Sequence, residues 1–161
     1  MKAGTQGQAS VHAEAAPTVL YDMVSDVARM GEWSPECQHC EWIGGATGPA
    51  VGARFKGTNR RGLARWSTKP RVVAAEPGRE FAFVIGHLGR DMTRWSYRFD
   101  PTSGGTTVTE SFEMVRDMPW YFRLFDRLLM RVADRKADLE TNMGETLRRL
   151  KATAEARGPG R

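Results

Sequence analysis

Cysteine occurs only twice in this chain, at Cys37 and Cys40, and histidine only three times, at His12, His39 and His87. Two cysteines cannot frame a disulfide-stapled fold. The run Cys37-Gln38-His39-Cys40 offers metal or redox chemistry at first sight. Zinc asks for four ligands, however, and no second cysteine pair exists. A c-type haem needs histidine directly after the second cysteine, and here it lies between the two. A thioredoxin-like site needs a βαβ setting, which is absent. The pair therefore reads as incidental, beside a strand, and no metal or cofactor is expected.

Long apolar runs are also missing, so neither a membrane span nor the apolar core of a signal peptide is present. The expectation is a cytoplasmic chain, monomer or homodimer, without stable membrane insertion. The Walker and Rossmann spacings and the Gly-x-Ser-x-Gly elbow are absent, and no internal repeat is visible. Zinc fingers, RNP-type aromatics and a helix-turn-helix are absent too. The net charge of +5 comes from 24 basic residues interleaved with 19 acidic ones. Stretches such as Asn59-Arg60-Arg61 and 127–135 are locally basic, yet the whole reads as a solvated basic surface with no nucleic-acid partner.

What is there fits one globular domain with a real core: 161 residues, 40% of them hydrophobic. Residues 1–9 and 158–161 are poor in apolar side chains and read as tails around a domain at 10–157. The C-terminal stretch from Asp117 to Ala156 changes to helical spacing. Tyr121, Phe125, Leu128, Leu129, Val132, Leu139, Met143, Leu147 and Leu150 share one stripe, and Arg123, Arg127, Arg131, Asp134, Asp138 and Arg148 lie opposite. Asp117 is the candidate N-cap. A continuous helix would run about 55 Å, so a kink or separate first turn near Trp120–Leu124 is expected. Trp120, Tyr121 and Phe122 read either as a gate or as packing against the sheet rim. The charged helix face could lie on a membrane surface, but the opposite face already has a sheet to cover.

Upstream, Ser10–Glu14 is a strand candidate and Ala16-Pro17-Thr18 opens a short helix that breaks at Met30–Pro35. From Ala53 to Val115 the period is two. Phe55, Gly57 and Asn59 share a face. So do Phe81, Phe83, Ile85 and His87, then Trp95, Tyr97 and Phe99, then Val108, Glu110, Phe112 and Met114. Tight turns such as Glu76-Pro77-Gly78 and Thr102-Ser103-Gly104-Gly105 imply an antiparallel sheet with one apolar face. The order of elements is that of an α+β fold.

Several stretches together carry a resemblance. They are Ala16-Pro17, Ser25-Asp26, Gly31-Glu32-Trp33-Ser34-Pro35, Gly48 to Phe55, Arg65-Trp66-Ser67-Thr68, Glu76 to Phe83, Arg94 to Phe99 and Gly104 to Glu110. With them the chain resembles the SRPBCC superfamily of START-like, helix-grip domains, which includes polyketide cyclases and dehydratases. The resemblance implies a curved antiparallel sheet around a long C-terminal helix, two short helices after the first strand, and a large cavity between sheet and helix. Members bind lipids, steroids, hormones or polyketides, and only some catalyse.

Candidate site residues are polar groups in phase with apolar faces, together with the aromatics. An ionised side chain facing a core needs a partner or a wetted cavity. His87, Glu110, Asn59 and Lys136 meet that description, and a Glu110–Lys136 structural pair is the plain alternative. Phe55, Trp66, Phe83, Ile85, Trp95, Tyr97 and Phe112 from the sheet, with Phe125, Leu129, Val132 and Met143 from the helix and Trp33 beside them, would wall the cavity, the plain alternative for the aromatics being simple core packing. The expected partner is one bulky hydrophobic, aromatic or polycyclic small molecule. If the protein is instead a cyclase or dehydratase, Glu110 or His87 would be its acid or base. By analogy with helix-grip proteins that sequester enediynes, self-resistance to a toxic natural product is a third reading.

Overall fold

The computed structural model describes residues 1–158, so residues 159–161 of the expected C-terminal tail lie outside the described residues. In chain order the elements are β1 (Gln6–Ala13), α1 (Pro17–Ser25), a 3-10 turn (Val27–Glu32), β2 (Cys37–Ile43), β3 (Arg54–Arg61), β4 (Ala64–Thr68), β5 (Arg71–Glu76), β6 (Glu80–His87), β7 (Arg90–Thr102), β8 (Gly105–Met114), α2 (Trp120–Leu128) and α3 (Arg135–Ala156). The strands form one eight-stranded sheet in the order β1-β8-β7-β6-β5-β3-β2, with β4 paired to β3 off that path. All pairings are antiparallel. This is the helix-grip architecture: a curled antiparallel half-barrel closed by the C-terminal helix.

Period-two alternation sets the inward face. Phe81, Tyr97, Glu110 and Ala9 are cross-strand partners in one row, and Phe83, Trp95, Phe112 and Gly7 form the next. Gly7 leaves room for the Phe112 ring, because a Cβ there would lie 2.8 Å from Phe112 Cε1. Strand β1 starts at Gln6, so Gln6–Ala9, expected as tail, pair with Glu113 to Glu110 of β8. The weak apolar content of that segment reflects its position at the sheet edge, where only alternate residues meet the core.

The expected break in the C-terminal helix is present, but it lies after Leu128 rather than near Trp120–Leu124, and it leaves two helices. Leu129 to Asp134 separates them, with Arg131 at φ 56°. Asp134 caps α3, its Oδ1 accepting from Ala137 N at 3.1 Å. Asp117 caps nothing; it accepts hydrogen bonds from Ala3 N and Lys2 Nζ instead, and Pro119 sits at the start of α2. Leu139, Met143, Leu147 and Leu150 of α3 are buried against the sheet, each worth about 1.5–3 kcal/mol. The main core lies toward α1, around Leu20, Tyr21, Phe81, Phe99, Leu147 and Leu150. At the other end the sheet and α3 diverge, and α2 bridges them. Among the described residues no helix is long and apolar enough to cross a membrane.

Candidate functional site

Where α3 and the sheet diverge, a cavity of about 610 Å³ opens, well inside the range of small-molecule sites. Its walls come from β3 and β4 (Phe55, Asn59, Trp66, Thr68), β6 and β7 (Phe83, Ile85, Trp95, Tyr97), α2 (Phe122, Phe125) and α3 (Leu139, Met143). Aromatic rings meet edge to face across it: Phe55 with Phe83 at 5.2 Å and Trp66 with Phe125 at 6.2 Å. The wall is mainly apolar, so its few polar groups stand out.

Foremost is Glu110. It is buried, and it pairs in register with Tyr97 of the neighbouring strand. The Tyr97 hydroxyl donates to Glu110 Oε1 at 2.7 Å. Glu110 Oε2 is also buried and has no partner among the described residues. Burial raises the Glu110 pKa to about 8 from an ordinary 4.5, with the Tyr97 hydrogen bond pulling the other way. At neutral pH the group is therefore largely a neutral carboxylic acid. The Tyr97 phenol is held well above its usual range by burial and by the adjacent carboxyl.

His87 lies elsewhere. Its Nε2 shares a hydrogen bond with the Tyr121 hydroxyl at 2.6 Å, and its ring packs edge-on to Phe122. It borders the cavity beneath α2. Tyr97 is the partner of Phe81, six positions back along β6. At about 3.3 Å per residue, His87 and Glu110 are separated by roughly 20 Å along the sheet. The two candidate acid–base groups are thus at opposite ends of the cavity.

Of the expected wall residues, Phe55, Asn59, Trp66, Phe83, Ile85, Trp95, Tyr97, Phe125 and Met143 border the cavity. Five do not. Trp33 ends the 3-10 turn inside the main core, with the Arg29 guanidinium 5.1 Å over its ring. Phe112 is buried behind the wall, against Trp95, Leu139 and Met143. Leu129 and Val132 fall in the link between the helices. The break turns Leu129 outward, while Val132 packs with Ala64 and Met130. Lys136 is half-exposed and paired to Glu140 at 3.2 Å, one helical turn on. No Glu110–Lys136 pair exists, because α3 begins at Arg135 and so presents Lys136 to solvent rather than to the sheet.

The structure adds groups that periodicity missed. Glu36 accepts from Arg135 Nη1 at 2.8 Å, Arg61 Nη1 at 3.2 Å and Asn142 Nδ2 at 3.1 Å. Asp138 completes this cluster by pairing with both arginines. Glu36 sits in a loop, where no spacing rule applies, so only the fold brings it there. Asp126, on the inner face of α2 with Phe122 and Phe125, is buried at the cavity edge. Burial raises its pKa against the pull of Arg135. Its helical spacing with Phe122 and Phe125 was the available signal.

Cys37 and Cys40, expected to be incidental, lie in β2 and border the cavity with their sulfurs 3.2 Å apart. Residues three apart on a regular strand face opposite ways. A register shift between Cys37 and His39 reverses that and turns both inward. Gly57 on the facing strand makes room, since a Cβ there would lie 3.3 Å from Cys40 Sγ. The Cys40 thiol hydrogen bond lowers the Cys37 pKa, and the same contact raises that of Cys40. Among the described residues no group of three or more His, Cys, Asp or Glu could hold a metal ion.

Comparison with known proteins gives this geometry a context. No curated protein matches the chain. The solution structure of the Polyketide_cyc-like protein Cgl2372 from Corynebacterium glutamicum is 31% identical, covers 98% of this chain and 95% of its own, and superposes with a TM-score of 0.64. The di-domain ARO/CYC StfQ of the steffimycin biosynthetic pathway superposes at 0.73 with 16% identity, over 94% of this chain and 51% of StfQ. DynU16, from the dynemicin biosynthetic locus, superposes at 0.63 with 16% identity, over 94% of this chain and 48% of DynU16. These last two likenesses are of fold. A family model described as polyketide cyclase / dehydrase and lipid transport matches residues 5–155, and the chain belongs to that family.

Proposed function

We propose that the cavity binds one bulky, largely apolar small molecule, polycyclic or lipid-like, with its polar end at Tyr97 and Glu110. The observation that carries this reading is a mainly apolar cavity of about 610 Å³ bordered by a buried carboxyl, one oxygen of which has no partner among the described residues. Leaving such an atom unpaired costs about 1–3 kcal/mol, and a ligand hydroxyl or carbonyl placed there recovers it. A ligand burying about 300 Å² of apolar surface would gain roughly 7 kcal/mol before the costs of association. Phe55, Trp66, Phe83, Ile85, Trp95, Phe125 and Met143 supply that surface, and Asn59 and His87 offer further polar contacts.

The test is an amide NMR titration with a panel of fatty acids, sterols, aromatic polyketides and an enediyne. Saturable shifts at Phe83, Trp95, Tyr97, Glu110 and Met143 are expected with one class. Shifts confined to the surface, or none with any class, would sink the reading.

A second reading, cyclisation or dehydration of a poly-β-ketone, is favoured by the same carboxyl. A group that titrates near 8 can take an α-proton as carboxylate and return it to a departing β-hydroxyl, which leaves as water. His87 is too distant to share that step, so Glu110 would act alone. For a substrate found by the titration, Glu110→Gln should abolish turnover while binding persists. Turnover and binding both unchanged would remove Glu110 from this role.

A further inference from the structure

Helix α2 is apolar on two sides. Its inner face, Phe122 and Phe125, closes the cavity. Its outer face carries Trp120, Leu124 and Leu128, spaced i, i+4, i+8 on one ridge and 74%, 50% and 65% exposed. Of these three only Leu128 belongs to the stripe that the sheet is expected to cover, and Trp120 is expected as a gate or as packing against the sheet rim. The break at residues 129–134 prevents that cover, because α2 lies across the open end of the half-barrel rather than along its length.

Two hairpin tips extend the ridge. The β3–β4 tip places Leu63, 79% exposed, beside the end of α2, where Gly62 approaches the Leu129 carbonyl. At the other end, the β6–β7 tip places Leu88, 84% exposed, next to His87, which is bonded to Tyr121. Leu88 adopts φ 50°, a left-handed conformation that a leucine rarely takes. The three segments together rim the α2 side of the cavity with exposed leucines and a tryptophan, an arrangement that a solvent-facing surface does not need.

Charge is equally one-sided. Arg116, Arg123, Arg127 and Arg131 on α2 and its flanks are exposed, as are Arg60, Arg65 and Arg90 on the two hairpins. Among the described residues none of these seven forms a salt bridge, whereas most arginines elsewhere on the chain do. The acidic residues of the region are already engaged or buried: Asp117 with Lys2, Asp91 with Arg71, and Asp126 in the wall.

We propose that this face docks on an anionic lipid bilayer, with Trp120, Leu124, Leu128, Leu63 and Leu88 in the interfacial region and the arginines on the headgroups. A short helix with an apolar ridge flanked by arginines is the pattern of interfacial binding, and tryptophan favours that depth. A second copy packed face to face would set arginines against arginines. A nucleic acid would meet the arginines but leave the leucines in water. The docking is peripheral and reversible, and it orients α2, the inner lining of which closes the cavity, toward the membrane. It does not depend on which ligand the cavity holds.

The test is co-sedimentation of the full chain with phosphatidylglycerol/phosphatidylcholine vesicles and with phosphatidylcholine vesicles alone. Partitioning to the anionic vesicles should be at least about tenfold stronger, and should weaken severalfold as salt is raised. Leu124→Asp with Leu128→Asp should reduce it about tenfold or more, as should Arg123→Glu with Arg127→Glu. Both substitutions fall on exposed positions, so thermal unfolding by circular dichroism should match the parent chain. No binding to anionic vesicles, equal binding by the substituted chains, or a concentration-dependent dimer that Leu124→Asp disrupts would each overturn the proposal.

Discussion

The Tyr97 hydroxyl and the Glu110 carboxyl meet at 2.7 Å because their residues are cross-strand partners of β7 and β8 on the inward face. Tyr97 can satisfy only one carboxyl oxygen. The other is buried with no partner among the described residues, and burial makes Glu110 an acid that resists ionisation.

That ionisation should be visible in stability. The Glu110 pKa is about 8 in the folded chain against 4.5 for an ordinary carboxyl. Below pH 4.5 both states are protonated, and the group has no effect on the balance. Between 4.5 and 8 the unfolded chain ionises while the folded one stays protonated, so Glu110 erodes stability as pH rises and levels off above 8. Glu110→Gln should therefore gain on the parent chain across that window, on the order of 1–4 kcal/mol by pH 8. Urea unfolding at pH 4, 6 and 8 measures the gap, and a gap independent of pH would refute the shift.

Tyr97→Phe removes the one side-chain hydrogen bond that the Glu110 carboxyl makes among the described residues. The loss should cost about 1–3 kcal/mol and push the Glu110 pKa higher still. A double-mutant cycle with Glu110→Leu, which cannot accept this bond, followed by urea unfolding, isolates the coupling. Additive effects would mean that the bond contributes nothing.

Arg135 lies between Glu36 and Asp138, all three largely buried. In Arg135→Met the two carboxylates would share only Arg61. A loss of roughly 2–4 kcal/mol is expected, toward the lower side for partly exposed groups. Denaturant unfolding at neutral pH checks it, and a stability equal to that of the parent chain would refute the cluster's contribution.

The Cys37 and Cys40 sulfurs are placed to close on each other. With hydrogen peroxide as oxidant, two thiols and one peroxide should give one intramolecular disulfide and two waters. Thiol titration and intact mass should show both thiols disappearing together in a monomer. Cys40→Ala should leave Cys37 open to alkylation. Two free thiols persisting under peroxide would argue against the facing arrangement.

Gly7→Ala would place a methyl 2.8 Å from Phe112 Cε1 and from Glu140 Oε1. Glu140 can swing away, but the Phe112 ring is packed under Trp95 and Met143. Roughly 1–3 kcal/mol of destabilisation is expected from the crowding, read as a lower thermal midpoint.

The amino-acid sequence by itself determined which face each residue of β6, β7 and β8 presents. Side-chain alternation is a property of the local backbone, so Trp95, Tyr97 and Phe99, and likewise Val108, Glu110, Phe112 and Met114, share a face wherever the strands are placed. It also determined, through its resemblance, the helix-grip fold and the family. Tertiary structure decided the rest. The register shift in β2 turned Cys37 and Cys40 to the same side against the alternation rule. The break after α2 sent Leu129 and Lys136 away from the cavity and left Trp120, Leu124 and Leu128 uncovered. Cross-strand register gave Glu110 its partner in Tyr97 rather than Lys136. Each depends on what lies opposite, and that is set by pairings between residues far apart in the chain, which no local period records.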